Sequence, residues 1–310
     1  MKGVPSTRRR FCGLCASLPA ALQASRAWAA LPARSFSPRY TLATGLFGSA
    51  RLDVILPEVQ KLGVAGIDLL RTHPGDQREQ VEAMGNRRFA CQLRQYNVRL
   101  DMTTRPDLGP FGLRAELSFL AEFGANMVVT GSAGPRDLSG QECKMAVRQF
   151  VEKMKPIVAD AEAHGVIIAI QNHRESLLNT PDSLRYLAEL SPSLNLGIAL
   201  APCNLPQDER LLSGLIEDIA PRLVHFYAGQ YGRGWQFRMP KARELEQMPG
   251  RGKLNFQPLL AALRKIAYRG AIEIFMHPVP CGEPIVEGAG QVTEEINRAR
   301  TYLEQCLQGS

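Results

Sequence analysis

The chain has 310 residues, 45% hydrophobic and 22% charged, a composition that supports a large globular core and excludes wholesale disorder. Its net charge of +7 is unevenly placed: Lys2, Arg8, Arg9, Arg10 and Arg26 lie in residues 1–29, which hold no acid, so the remainder carries only +2. A near-neutral body gives little electrostatic reason to expect a nucleic-acid partner, and no run approaches the roughly 20 apolar residues that an integral membrane helix needs.

Residues 1–29 read as an export signal: a basic start, an apolar middle from Leu14 to Ala24, and a small-x-small cleavage site at Ala27-Trp28-Ala29. The core Thr7-Arg8-Arg9-Arg10-Phe11 resembles the twin-arginine signal of bacteria. That resemblance implies a mature chain beginning near Ala30, a short lead over residues 30–39, and a periplasmic or extracellular destination. Cys91, Cys143, Cys203, Cys281 and Cys306 remain after the signal. An odd number with no Cys-x-x-Cys argues against a disulfide scaffold and reads as mostly buried thiols.

From Tyr40 onward, β-rich runs alternate with amphipathic segments, the pattern of a parallel sheet. The predicted strands are 40–47, 66–71, 98–104, 126–131, 166–173, 194–200, 223–229 and 270–277, with helical periodicity between them, as in Leu113–Phe123, Met145–Ala163 and Phe256–Ile266. Gly63, Gly124, Gly165 and Gly270 sit where helices should end, and Thr180-Pro181 where one should begin. Eight such units over residues 40–310 predict an α/β fold of the (β/α)₈ TIM-barrel type in one domain. An open doubly wound sheet is disfavoured, because no Gly-x-Gly-x-x-Gly follows the first strand.

In such a barrel the reacting groups come from the carboxyl ends of the strands. Polar residues collect there: Arg71 and His73 after strand two; Asp101, Thr103 and Arg105 at strand three; Thr130 and Ser132 at strand four. Gln171 and His173 follow at strand five, His225, Tyr227 and Gln230 at strand seven, and Glu273 and His277 at strand eight. Four of the five histidines fall in this set, while His164 sits at a helix end, where a cation suits the dipole. Strand alternation puts His225 with Tyr227, and Glu273 with His277, on common faces. Convergence of His173, His225, Glu273 and His277 would suit a divalent ion or a proton-transfer site. Alternatively, each histidine is a hydrogen-bonded pocket residue.

With the segments GVIIAIQNH, LNLGIALAPCNL, RLVHFYAG and the stretch from Pro249 to Glu273, the chain resembles the xylose isomerase-like barrels of the sugar phosphate isomerase/epimerase family. The resemblance covers about residues 40–305. It implies a small carbohydrate or polyol as substrate and, usually, a divalent metal such as Mn or Zn that helps move a proton between neighbouring carbons. It also implies four metal ligands, Glu, Asp, His and Glu, on strands five to eight. Those positions read here as Gln171, Ala201, His225 and Phe275, with Glu273 two residues earlier and Asn204 where a His is frequent. Two readings follow: a site rebuilt with His225, His277 and Glu273 on metal and Glu273, His173 and Gln171 in catalysis, or a barrel that binds a carbohydrate or a partner without turnover. Arg71, His73, Asp101, Arg105, Asn204, Tyr227 and Trp235 are the candidate substrate contacts. The abasic-site nucleases of the same family need more ligands and a basic groove, and the +2 body disfavours them. Gly250-Arg251-Gly252-Lys253 reads chiefly as a tight loop before a helix, with an anion cradle as the alternative.

Overall fold

The computed structural model describes residues 36–71, 73–231 and 238–308. The expected export signal and Trp235 lie outside them. Eight parallel strands form a closed barrel in chain order: β1 Arg39–Ala43, β2 Gly66–Leu70, β3 Arg99–Thr104, β4 Met127–Gly131, β5 Ile167–Gln171, β6 Leu196–Leu200, β7 Leu223–Ala228 and β8 Ala271–Ile274. The circle closes through β8 and β1, with Thr41 opposite Glu273 and Leu42 opposite Ile274. Closure removes both sheet edges, and the flanking helices cover the outer face, which is why the strands are nearly continuous in apolar residues.

The helices are α1 Leu52–Lys61, α2 Gln77–Met84, α3 Asn86–Gln95, α4 Arg114–Glu122, α5 Gly140–His164, α6 Pro181–Leu190, α7 Glu209–Asp218, the single turn α8 Lys241–Glu244, α9 Gln257–Lys265 and α10 Ala289–Gln308. Their apolar residues recur every three or four positions: α5 buries Val147, Phe150, Val151, Met154, Ile157, Val158 and Ala161 against the sheet. Helix α6 begins as its sequence predicts. Thr180 and Ser183 form a reciprocal capping box, and Pro181 occupies the first helical position.

All eight predicted strands are present, but several are shorter than their β-rich runs. Residues 44–47 coil into a 3₁₀ turn after β1, and β8 ends at Ile274, so Phe275 and His277 stand beyond the last strand. Gly165 ends α5 at φ 66°, a left-handed position that favours glycine, and His164 bonds the Asp160 carbonyl through Nδ1. Gly270 differs from its expected role. The residue with positive φ at that end is Ala267, whereas Gly270 is required by close approach, since a Cβ there would lie 2.3 Å from the Val224 carbonyl oxygen. The five cysteines are free thiols, and only Cys143 and Cys203 are buried, so burial of most of them does not hold.

Candidate functional site

Three of the candidate substrate contacts are drawn into the scaffold. Arg105, just past β3, is buried and pairs with Glu116 of α4 and with Asp107 at 2.8 Å, while Arg78 of α2 reaches the same Glu116 at 2.9 Å. Arg71 spends its guanidinium on α2, 3.0 Å from Glu82 and 3.6 Å from Glu79. Asp101 does not reach the mouth. It is the extra residue of a bulge between β2 and β3, packs over Gly66 at the start of β2, and accepts from Thr41 Oγ1 at 3.0 Å and Arg99 at 3.3 Å. His73 bonds the Pro74 carbonyl through Nδ1 at 2.9 Å and stays half-buried.

Asn204 is buried, and its amide donates to the Asn172 carbonyl at 3.0 Å. Asn172 in turn clasps the backbone of Ala201 on both sides, accepting from its N–H at 2.7 Å and donating to its carbonyl at 3.0 Å. The loops after β5 and β6 are thereby fixed, with Gln171 and His173 left half-buried on that rim. His173 Nδ1 accepts from the Glu175 N–H at 3.3 Å, which places the ring proton on Nε2, and burial lowers its pKa.

The side chains of β7 and β8 instead meet inside the barrel. His225 Nε2 lies 3.0 Å from Glu273 Oε2, and both side chains have no solvent exposure. Above them runs a column of rings. His225 meets Tyr227 edge-on at 4.5 Å between centroids, Tyr227 meets Phe275 at 5.4 Å, and Phe275 meets His277 edge-on at 4.6 Å. The alternation expected from the sequence is therefore present, but Tyr227 and Phe275 are themselves buried and separate His225 and Glu273 from the rim. His277 is half-buried outside this layer, its backbone held by reciprocal bonds with the Gln247 amide at 3.1 and 2.9 Å. It lies close enough to His173 for a charge there to lower its pKa, in addition to the effect of burial.

One interior residue was not anticipated. Asp68 sits at the centre of β2, a strand buried throughout, and accepts from Thr104 Oγ1 at 2.7 Å. Thr104 is also 3.4 Å from the Tyr227 hydroxyl, although β3 and β7 stand on opposite walls, so these groups meet across the barrel. A lone acid within the apolar run Gly66-Ile67-Asp68-Leu69-Leu70 was the available signal. Burial, and then the neighbouring Glu273, hold the Asp68 carboxyl well above the usual range; burial raises Glu273 likewise and pushes His225 down to about 3. Burial thus disfavours the charged form of each of these three groups. The 3.0 Å approach of His225 Nε2 to Glu273 Oε2 is not aligned as a hydrogen bond, so both ring nitrogens of His225, both carboxyl oxygens of Glu273 and Asp68 Oδ1 have no hydrogen-bond partner among the described residues.

These donors do not fit the divalent ion that the fold family implies. Such an ion needs anionic oxygens to offset its desolvation. The positions facing it would offer the Gln171 amide, the methyl of Ala201 and the ring of Phe275. His225 and Glu273 lie beneath Phe275, and His277 on the far side of it. Among the described residues no group of three or more His, Cys, Asp or Glu side chains is arranged to hold a metal. The expected convergence of His225, Glu273, His277 and His173 is not formed: His225 and Glu273 meet in the sealed interior, while His173 and His277 are half-buried at the rim, with the buried Tyr227 and Phe275 rings between.

Residues 56–302 match the family model of the xylose isomerase-like TIM barrel, and the chain belongs to that family. Similar solved structures include a D-psicose 3-epimerase determined in the presence of D-fructose, with 16% identity, TM-score 0.65, and coverage of 87% of this chain and 99% of that one. An IolI protein with a bound zinc atom is 13% identical, with TM-score 0.65 and coverage of 86% and 98%. An L-ribulose 3-epimerase is 13% identical, with TM-score 0.63 and coverage of 88% and 95%. At these identities the likeness extends to the fold alone. No curated protein sequence matches the chain. Among the described residues no helix is long and apolar enough to cross a membrane.

Proposed function

We propose that this protein binds a small carbohydrate or polyol at the carboxyl-end face of its barrel, without the divalent-metal chemistry of its family. The observation that carries this reading is the replacement of anionic donors by Gln171, Ala201 and Phe275, together with enclosure of His225 and Glu273 beneath the Tyr227–Phe275 layer. The half-buried rim residues Gln171, His173 and His277 supply the donor and acceptor groups that a polyhydroxylated ligand requires. The epimerases of similar fold make sugars the first ligands to test. Calorimetric titration with D-fructose and myo-inositol in the presence of EDTA should give saturable binding that Gln171→Ala weakens. Binding that appears only with added metal would refute the proposal.

One observation favours a second reading, in which the barrel turns its ligand over. Asp68 and Glu273 are buried acids whose pKa is raised by burial, Glu273 lies 3.0 Å from His225, and groups so perturbed are suited to proton transfer. That chemistry requires the ring of Phe275 to move aside. Exchange of substrate C–H for deuterium, present in the wild type and lost in Glu273→Gln, would favour turnover over binding. Export through the twin-arginine route belongs to either reading. It calls for a secreted chain beginning near Ala30, and N-terminal sequencing of the cell-associated and exported forms tests it.

A further inference from the structure

We infer that the cavity beside the carboxyl end of β7 is an oxyanion subsite, which takes the phosphate or carboxylate of an acidic sugar. The sugar part rests on the binding function proposed above; the anion part stands on the cavity itself. About 460 Å³ in volume, the cavity is lined by Gln207, Tyr231, Arg243, Glu246, Arg251 and Lys253 among others. Among the described residues, three cationic side chains thus line the cavity with one carboxylate.

The pairing of these charges leaves donors over. Arg243 commits Nη1 to Glu246 at 2.9 Å. Arg251 commits Nε and Nη2 to Glu295, at 2.7 and 2.5 Å, and Glu295 does not line the cavity. A guanidinium carries five N–H donors, so each arginine retains some for a ligand. Lys253 has no acid within 4.0 Å among the described residues, and Glu295 is shared between Arg251 and Arg298, so positive charge is left over beside the cavity.

The cavity is also built to hold its shape. Buried Gln230 donates to the Met248 carbonyl at 2.8 Å and accepts from the Leu254 N–H at 2.8 Å, and the Gln207 amide oxygen accepts from the Tyr231 N–H at 3.0 Å. Gly252 passes so near this amide that a Cβ would stand 2.6 Å from Gln230 Cδ and 2.4 Å from the Glu246 carbonyl oxygen. The Gly-Arg-Gly-Lys segment is therefore a tight loop for packing reasons, and that tightness carries Arg251 and Lys253 along one wall. The wall of the cavity is thus fixed by backbone and buried amide contacts, and the exposed Arg243, Arg251 and Lys253 side chains present donors along it, which suits an oxyanion ligand.

The test is calorimetry on the full chain with inorganic phosphate, D-gluconate, D-fructose 6-phosphate and D-fructose, for wild type, Lys253→Gln and Lys265→Gln. Lys265 is an exposed residue of α9 that pairs with Glu217 and serves as a control for general charge. Phosphate or gluconate should bind saturably, more weakly at high salt, and Lys253→Gln should reduce affinity about tenfold while Lys265→Gln leaves it unchanged. The preferred one of the two anions identifies the group. Failure of both anions to bind, or equal behaviour of the two lysine variants, overturns the subsite. If D-fructose binds alike in all three proteins and its phosphate gains nothing, the subsite falls and the sugar-binding function stands. If the anions bind in a Lys253-dependent way and no sugar does, the subsite stands and the sugar-binding function falls.

Discussion

Glu273 and Asp68 place two carboxyl groups inside a barrel whose neighbouring layers are aliphatic and aromatic. Each ionises at an unusually high pH because burial penalises its charge, so folding takes up protons once the pH exceeds the ordinary carboxylate value. Their contribution to stability is complete below that value and is lost as the pH rises toward the folded pKa. His225 works in the opposite direction: pushed down to about 3, it favours the fold above its ordinary value near 6.5, and that contribution is lost as the pH falls toward 3. Glu273→Gln removes one of the two upper titrations. Thermal unfolding followed from pH 5 to pH 8 should therefore decline less steeply in the variant, by up to about 1.4 kcal/mol per pH unit. Parallel curves for the two proteins would show that Glu273 is ionised in the fold.

At the scale of elements, the β2–α2 and β3–α4 units are joined by the buried cluster Arg78–Glu116–Arg105. Glu116→Ala leaves two guanidinium groups in a nearly dry setting and should lower unfolding free energy by about 3–5 kcal/mol. Arg71→Ala, whose shorter ion pairs are to the partly exposed Glu79 and the exposed Glu82 and whose approach to buried Asp76 is only 4.0 Å, should cost about 1 kcal/mol or less in the same denaturant titration. A result with the two costs equal would mean that Glu116 has solvent access. This cluster also explains why part of the site was not legible in the sequence. Strand order, helix faces and the Thr180 cap follow from local periodicity and were read directly, and so was the shared face of His225 and Tyr227. Whether Arg71, Asp101 and Arg105 point at a ligand depends on acids brought from other segments, at positions 79, 82, 107 and 116, and on a bulge that turns Asp101 toward the strand amino ends. Asp68 carries no local signal beyond a lone acid in an apolar run, because its setting is that of any buried strand until Thr104, Tyr227 and Glu273 arrive from elements distant in sequence.

For the whole molecule, the family architecture is retained, and the proposed function rests on Gln171, Ala201 and Phe275 standing where the family resemblance implies anionic donors. The rim loops are held in place by backbone clasps such as Asn172 on Ala201 and Gln247 on His277, and under the proposed function these contacts organise the ligand-binding face without an ion. The aromatic column from His225 to His277 runs between the sealed interior and the rim, and burial of the interior acids disfavours their charged forms. Equilibrium dialysis of the purified full chain against Mn²⁺ and Zn²⁺, followed by metal analysis, examines this claim most directly. The predicted result is a metal content far below one ion per chain, the same in wild type and His225→Ala; one tightly held ion per wild-type chain, absent from His225→Ala, would contradict it.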